Sequence, residues 1–210
     1  MKIKICGFTV PEHVADGAGM GLDYAGLVLW QGSPRVILSR ERAQEMTSYC
    51  KGVGIESVGL FVDEPTDVIA EVAEDVRVDI VQLHGDRPAS DVAALVACGL
   101  RVWQALRIGP DFDGRSADQA WAAGAELVLL DGWHPTEPGG TGLQADWEQA
   151  AAVAERGRVM LAGGLTAENV GDAIRRVRPW GVDVSSSLEQ YPGFKDHYKM
   201  RAFLDAVRRA

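Results

Sequence analysis

The chain has 210 residues, 47% of them hydrophobic, with 21 Lys and Arg against 30 Asp and Glu and a formal net charge of -9. This length and apolar content can bury a full core, while the acidic balance repels phosphodiester backbones and argues against nucleic acid as the principal ligand. No apolar stretch has the length of a signal sequence or a membrane span, so the expectation is a cytoplasmic protein with no membrane partner.

No composition break or low-complexity linker divides the sequence, and residues 1–210 read as one domain. Cys6, Cys50 and Cys98 form neither an even set nor a C-x-x-C spacing, which argues against structural disulfides and a cysteine-zinc site. Short aliphatic runs alternate with amphipathic stretches at an interval of roughly 20 to 30 residues, the rhythm of successive βα units. The predicted strands are Lys2 to Cys6, Tyr24 to Trp30, Ser57 to Val62, Ile80 to Leu83, Val102 to Leu106, Leu127 to Asp131, Val159 to Ala162 and Gly181 to Val184. A helical pattern follows each, including Arg40 to Cys50, Ala89 to Ala97, Leu143 to Ala154, Ala167 to Val177 and Asp196 to Arg208. Ser39 and Thr166 are predicted N-caps, whose side-chain oxygens take up amide hydrogens left unpaired in the first turn. The segment Asp16 to Asp23 is rich in glycine, which fits either harmless loop variation or a specialised paralogue. Eight units imply an α/β protein closed as a (βα)8 TIM barrel, with parallel strands covered by helices.

Such barrels keep their chemistry at the carboxyl ends of the strands. Cys6 ends the first predicted strand and Asp131 the sixth. A thiol and a carboxyl facing one pocket can divide proton transfer in an isomerisation that needs no metal and no redox cofactor. Strand seven runs into Gly163-Gly164, and strand eight into Ser185-Ser186-Ser187. Loops at these two places often hold a phosphate on glycine amides and the positive end of a short helix. A Gly-Gly pair alone is commonly just a tight turn, but the neighbouring serines favour a phosphate site at Gly163, Gly164, Ser185 and Ser186. Side chains two apart share a strand face, so an inward Cys6 implies an inward Lys4, with Ile3 and Ile5 meeting the helices. A buried Lys4 would neutralise a carboxylate such as Asp183 or favour the Cys6 thiolate; the pairing is preferred and the two are compatible.

The ordered set Lys4-Ile5-Cys6-Gly7, Ser33-Pro34-Arg35, Val81-Gln82-Leu83-His84-Gly85, Leu130-Asp131, Gly139-Gly140-Thr141-Gly142, Leu161-Ala162-Gly163-Gly164-Leu165, Val182-Asp183-Val184-Ser185-Ser186 and Pro192-Gly193-Phe194-Lys195-Asp196 resembles the phosphoribosylanthranilate isomerase family along nearly the whole chain. The resemblance implies an Amadori rearrangement of N-(5'-phosphoribosyl)anthranilate to 1-(o-carboxyphenylamino)-1-deoxyribulose 5-phosphate in tryptophan biosynthesis. It implies Asp131 as general acid, Cys6 as general base, Arg35 facing the anthranilate carboxylate and Asp183 near the substrate amine. The expected partner is then a small phosphoribosyl substrate, with no cofactor.

Blander readings stand beside several of these residues. Asp183 is nearly as well explained as a structural partner of Lys4, and an arginine such as Arg35 is usually a solvated surface residue. For His84 a loop hydrogen bond is preferred over catalysis or metal binding. Gly139 to Gly142 read as a flexible loop over the site or an ordinary connection, and Trp133 as a shield for the acid or an anchor of its own loop. Cys50 and Cys98 read as apolar packing on helices. The family pattern usually has glycine where this chain has Ser187, and a side chain there would disfavour a positive backbone angle or crowd the phosphate loop. Val10 stands where a polar or basic group is common. These departures leave open a specialised paralogue acting on a related phosphosugar, or a phosphosugar-binding regulator without turnover. A metal-dependent pentose-phosphate epimerase would need more well-placed histidines than His84, and an indole-glycerol-phosphate synthase would need lysine and glutamate catalysts at several strand ends.

Overall fold

The computed structural model describes residues 1–132 and 145–210. Eight strands, β1 (Lys2–Cys6), β2 (Tyr24–Val28), β3 (Glu56–Phe61), β4 (Ile80–Leu83), β5 (Val102–Ile108), β6 (Leu127–Gly132), β7 (Val159–Leu161) and β8 (Gly181–Val184), pair in parallel in chain order. The last pairs back onto the first, Lys4 opposite Asp183, and closes the barrel. Around it run α1 (Pro11–Gly19), α2 (Arg40–Gly52), α3 (Thr66–Val76), α4 (Ala89–Ala97), α5 (Arg115–Ala122), α6 (Trp147–Ala154), α7 (Val170–Val177) and α8 (His197–Arg209). A 3-10 turn over Ser186–Leu188 and a small antiparallel hairpin, β9 (Glu189–Tyr191) with β10 (Phe194–Lys195), fill the connection from β8 to α8. No helix among the described residues is long and apolar enough to cross a membrane.

Period-two alternation sorts the strand side chains as expected. Ile3 and Ile5 join the large apolar layer that includes Val14 of α1 and Phe203 and Leu204 of α8, whereas Lys4 lies inside the barrel against Asp183. A second apolar cluster fills the interior near the strand starts: Tyr24, Ile80, Trp103, Leu127 and Met160, with Trp180 packed against it. Tyr24 and Trp103 meet edge to face at 4.9 Å, a favoured aromatic geometry. That plug leaves the carboxyl ends of the strands free to line a cavity.

Several boundaries differ from the sequence expectation for local reasons. Ser39 does cap α2, its Oγ accepting the Arg42 amide at 3.2 Å. Thr166 does not cap α7, which starts only at Val170. Instead the Asn169 side chain accepts the Thr166 amide at 2.8 Å and donates to the Gly164 carbonyl at 2.8 Å, bending 166–169 into a turn that supports the glycine loop. The Thr166 hydroxyl accepts the Glu168 amide at 3.2 Å within that turn. Asp196 is the N-cap of α8 rather than its first residue, accepting the Tyr198 and Lys199 amides. Glycine content misreads the segment from Asp16: α1 covers Pro11–Gly19, and Gly17 belongs there because a Cβ would fall 2.8 Å from Leu22 Cδ2. Leu143, the predicted start of α6, lies outside the described residues; Asp146 caps the helix from Trp147. Cys50 is buried as expected, but Cys98 follows the last turn of α4 and is exposed.

Candidate active site

A cavity of ≈ 310 Å³ opens at the carboxyl ends of the strands, and Cys6, Arg35, Asp131, Gly163, Gly164, Asp183, Ser185 and Ser186 all line it. Every site residue predicted from the sequence is therefore brought to one space. Cys6 and Asp131 come from strands far apart in the chain and face the same hollow.

Room for the sulfur is made from the neighbouring strand. Cys6 pairs with Gly26 of β2, and a Cβ at that position would lie 2.7 Å from the Cys6 Sγ and 2.8 Å from its Cα. Burial pushes the Cys6 thiol up; the Lys4 charge opposes that, Asp183 adds to it and Lys195 offsets part. The resting group is a thiol with cations close by to favour its thiolate.

Asp131 stands next to last in β6, its side chain 14% exposed. Burial raises its pKa to about 6, against the opposing pull of the Gly132 amide and the Lys4 and Arg107 charges. The Gly132 amide donates to Oδ1 at 2.8 Å. His84 Nε2 lies 3.7 Å from Oδ2, so this histidine stands on the cavity wall beside the acid. Its ring Nδ1 is 3.5 Å from Gln82 Nε2, and its main-chain amide donates to the Phe61 carbonyl at 2.8 Å.

Lys4 Nζ donates to Asp183 Oδ2 at 2.9 Å, with side chains 0% and 9% exposed, which is the pairing preferred from strand alternation. Burial disfavours the Lys4 charge, but Asp183 and Cys6 outweigh it and lift the lysine pKa, whereas at Asp183 burial outweighs Lys4 and pushes the carboxyl up. Asp183 Oδ1 is buried without a hydrogen-bond partner among the described residues. A buried acceptor left open beside a cavity suits a ligand N–H or O–H.

Arg35 reaches the cavity from the loop after β2, with its main-chain amide held by the Ser33 hydroxyl at 3.1 Å. Gly7 has φ 80°, and a Cβ there would fall 2.6 Å from Arg35 Cδ, so only a bare backbone lets the arginine stem cross. The guanidinium meets Glu189 through Nε at 2.9 Å and Nη2 at 2.8 Å. That fork is engaged within the protein, leaving the other edge for a ligand.

Gly163 and Gly164 take φ values of 83° and 61°, turning the chain sharply after β7. Ser185 Oγ donates to the Cys6 carbonyl at 3.0 Å and ties the β8 loop to the end of β1. Ser187 lies inside the 3-10 turn and is not among the positive-φ residues, so the anticipated backbone strain is absent. Its hydroxyl donates to the Leu165 carbonyl at 2.7 Å and fastens the two phosphate-loop candidates together.

Local sequence signals assign no role to Glu189 or Lys195, although Lys195 sits in the Pro192-Gly193-Phe194-Lys195-Asp196 motif. A glutamate and a lysine six residues apart around a Pro-Gly turn were the available signal. The hairpin sets them opposite each other, with Lys195 Nζ 2.7 Å from Glu189 Oε1. Among the described residues no group of three or more His, Cys, Asp and Glu side chains is placed to hold a metal ion. Trp133 and Gly139 to Gly142 lie outside the described residues.

A family model described as "N-(5'phosphoribosyl)anthranilate (PRA) isomerase" matches residues 3–206. The N-(5'-phosphoribosyl)anthranilate isomerase of Roseiflexus castenholzii is 41% identical over 217 residues, covering 100% of this chain and 99% of its own. The crystal structure of phosphoribosyl anthranilate isomerase from Thermus thermophilus has a TM-score of 0.88 at 30% identity, covering 100% of this chain and 99% of that one. A phosphoribosyl anthranilate isomerase in complex with reduced 1-(o-carboxyphenylamino)-1-deoxyribulose 5-phosphate has a TM-score of 0.83 at 31% identity, with 100% of both chains covered.

Proposed function

The chain belongs to the phosphoribosylanthranilate isomerase family, and we propose that it carries out that family's Amadori rearrangement with Asp131 as general acid and Cys6 as general base. The substrate is N-(5'-phosphoribosyl)anthranilate and the product 1-(o-carboxyphenylamino)-1-deoxyribulose 5-phosphate, a step of tryptophan biosynthesis. One observation carries the assignment of roles: a carboxyl with a pKa near 6 and a cation-flanked thiol face the same cavity.

Asp131 protonates the ring oxygen as the aminofuranose opens, which leaves a protonated Schiff base at C1'. Burial suits it to this task, because a carboxyl that resists ionisation still holds a proton near neutrality. The iminium withdraws electrons from C2', and the Cys6 thiolate removes the C2' proton. Lys4 and the new positive charge on the substrate both favour the thiolate at that moment. Return of a proton to C1' converts the enolamine to the ketone, so the atoms balance as an isomerisation. The phosphate sits on the Gly163, Gly164, Ser185 and Ser186 loops, the anthranilate carboxylate on the free edge of Arg35, and a substrate N–H or O–H on Asp183 Oδ1. Residues 1–210 act as one barrel in the cytoplasm with this small-molecule substrate as partner.

The test follows the loss of the substrate's anthranilate fluorescence with freshly generated phosphoribosylanthranilate. Cys6→Ala and Asp131→Asn are each expected to lower turnover by about 100- to 10,000-fold. Near-normal turnover in both folded variants would remove the assignment.

A further inference from the structure

Glu189 is a buried carboxylate surrounded by donors. Its side chain is 4% exposed and that of Lys195 0%. Oε1 accepts Lys195 Nζ at 2.7 Å, Arg35 Nε at 2.9 Å and the Gly193 amide at 3.2 Å. Oε2 accepts Arg35 Nη2 at 2.8 Å. Burial opposes its charge, but Arg35 and Lys195 outweigh that and hold the carboxyl below the usual range. Burial pulls the Lys195 ammonium down against the raising effect of Glu189, and with that lysine protonated, as its 2.7 Å contact with Oε1 favours, two cations and one anion form a cluster of net charge +1. Lys195 also donates to the Ser185 carbonyl at 3.3 Å, which ties the cluster to the loop that follows β8.

A guanidinium is planar and offers a carboxylate two alternative forks, one from Nε and one Nη, the other from the two Nη atoms. Glu189 occupies the first, while Arg35 lines the cavity. The second fork is then the one a ligand meets, at a fixed tilt. Were Glu189 absent, the guanidinium could rotate and split its donors between forks. Were Lys195 absent, the glutamate would cancel the arginine's charge.

Resting on the isomerase reading above, we propose that Glu189 is a positioning residue for recognition of the substrate's aryl carboxylate: it takes one fork of Arg35 so that the other faces the cavity, and Lys195 balances its charge so that Arg35 keeps its attraction for the anion. The bland alternative is an ion cluster that only closes the hairpin between β9 and β10.

Two probes separate these readings by calorimetric binding: reduced 1-(o-carboxyphenylamino)-1-deoxyribulose 5-phosphate and its counterpart made from aniline, which lacks only the carboxylate. The unaltered protein is expected to prefer the carboxylated probe by about ten- to a hundredfold, the range of a charged hydrogen-bonded contact. Glu189→Gln should lose most of that preference while binding the carboxylate-free probe within about threefold of the starting affinity, a difference too small for a lost charged contact. The double variant Glu189→Gln with Lys195→Met removes opposite charges together, so it preserves charge balance and keeps the test usable should the single variant unfold. It is expected to lose the preference in the same way. Equal weakening of both probes overturns the positioning role and leaves the isomerase reading standing. An unaltered protein that binds both probes equally overturns the positioning role and the Arg35 assignment together. One that binds neither probe sinks the isomerase reading itself.

Discussion

At the amino end of the barrel, polar contacts around the buried aromatic plug are closed within the protein; at the carboxyl end, closed contacts such as Glu189 with Arg35 and Lys195 stand beside acceptors left open to the cavity. Trp103 fills the lower interior while its indole N–H donates to Glu126 at 3.2 Å, and Arg101 bridges Glu56 and Glu126 at the rim. Ser57 and Asp79 close a similar contact between β3 and the entry to β4, hydroxyl to carboxylate at 2.7 Å. At the upper end Asp183 Oδ1 and Gln82 Oε1 are buried without hydrogen-bond partners among the described residues, and Asp131 is held in a setting that resists its charge. An orphaned buried acceptor costs stability, so its persistence beside a cavity marks where the fold serves a ligand rather than itself.

The sharpest way to break this contrast is to exchange the expected outcomes of the two ends. The two proton-transfer variants at the upper end are expected to lose turnover by orders of magnitude while unfolding cooperatively at temperatures no lower than the parent's. Trp103→Ala at the lower end should cost about 3–5 kcal/mol of stability, the usual result of emptying a large aromatic site. Its folded fraction should keep near-normal kcat/KM, as denaturant titration beside steady-state kinetics would show. Equal loss of turnover per folded molecule at both ends would erase the distinction.

Asp131→Asn tests the same contrast through stability. The folded pKa of about 6 lies above the ordinary aspartate value of 3.8, so the native state binds more protons across that interval. Stability is then present below pH 3.8 and is lost as pH rises through about 6. A neutral amide escapes that loss, and Asp131→Asn is expected to gain up to roughly 3 kcal/mol at pH 7.5 and little at pH 3.5. Thermal unfolding at the two pH values would show the gain, and a variant less stable than the parent at pH 7.5 would contradict it.

A smaller effect concerns pH and rate. The acid has the lower pKa of the pair and the base the higher, so the working form carries a protonated Asp131 with a deprotonated Cys6 and is a minority of the enzyme. The profile of kcat/KM is expected to fall below about pH 6 and again above the thiol pKa. Removing the Lys4 charge in Lys4→Met should move the alkaline limb upward and lower the plateau, because the thiolate loses its nearest cation. An unmoved alkaline limb would mean that Lys4 serves Asp183 alone.

Most of the barrel is legible in the sequence because strand and helix signals are local. Runs such as Leu127-Val128-Leu129-Leu130 carry their own period, and Ser39 announces α2 with its own hydroxyl. The placement of Cys6, Asp131, Arg35, Asp183 and the phosphate-loop residues around one space follows from their positions at the ends of strands. Local reading fails where a neighbour decides. Gly17 sits within a helix where Leu22 packs against its bare backbone, and Thr166 serves the turn ahead of α7, its hydroxyl accepting the Glu168 amide while the Asn169 side chain accepts its own. Glu189 and Lys195 escape notice for the same reason. Their pairing depends on the Pro192-Gly193 turn folding back, and their contact with Arg35 spans most of the chain.

Gly26 never needs to touch a ligand, yet it governs which nucleophile or base the barrel accommodates. Any side chain on β2 at that point would press against the sulfur and backbone of Cys6, so position 26 accepts no side chain unless β1 moves. A redesign of this barrel for a different sugar therefore begins on the second strand: the gap beside Cys6 sets the size of the reactive group before any choice of chemistry is made.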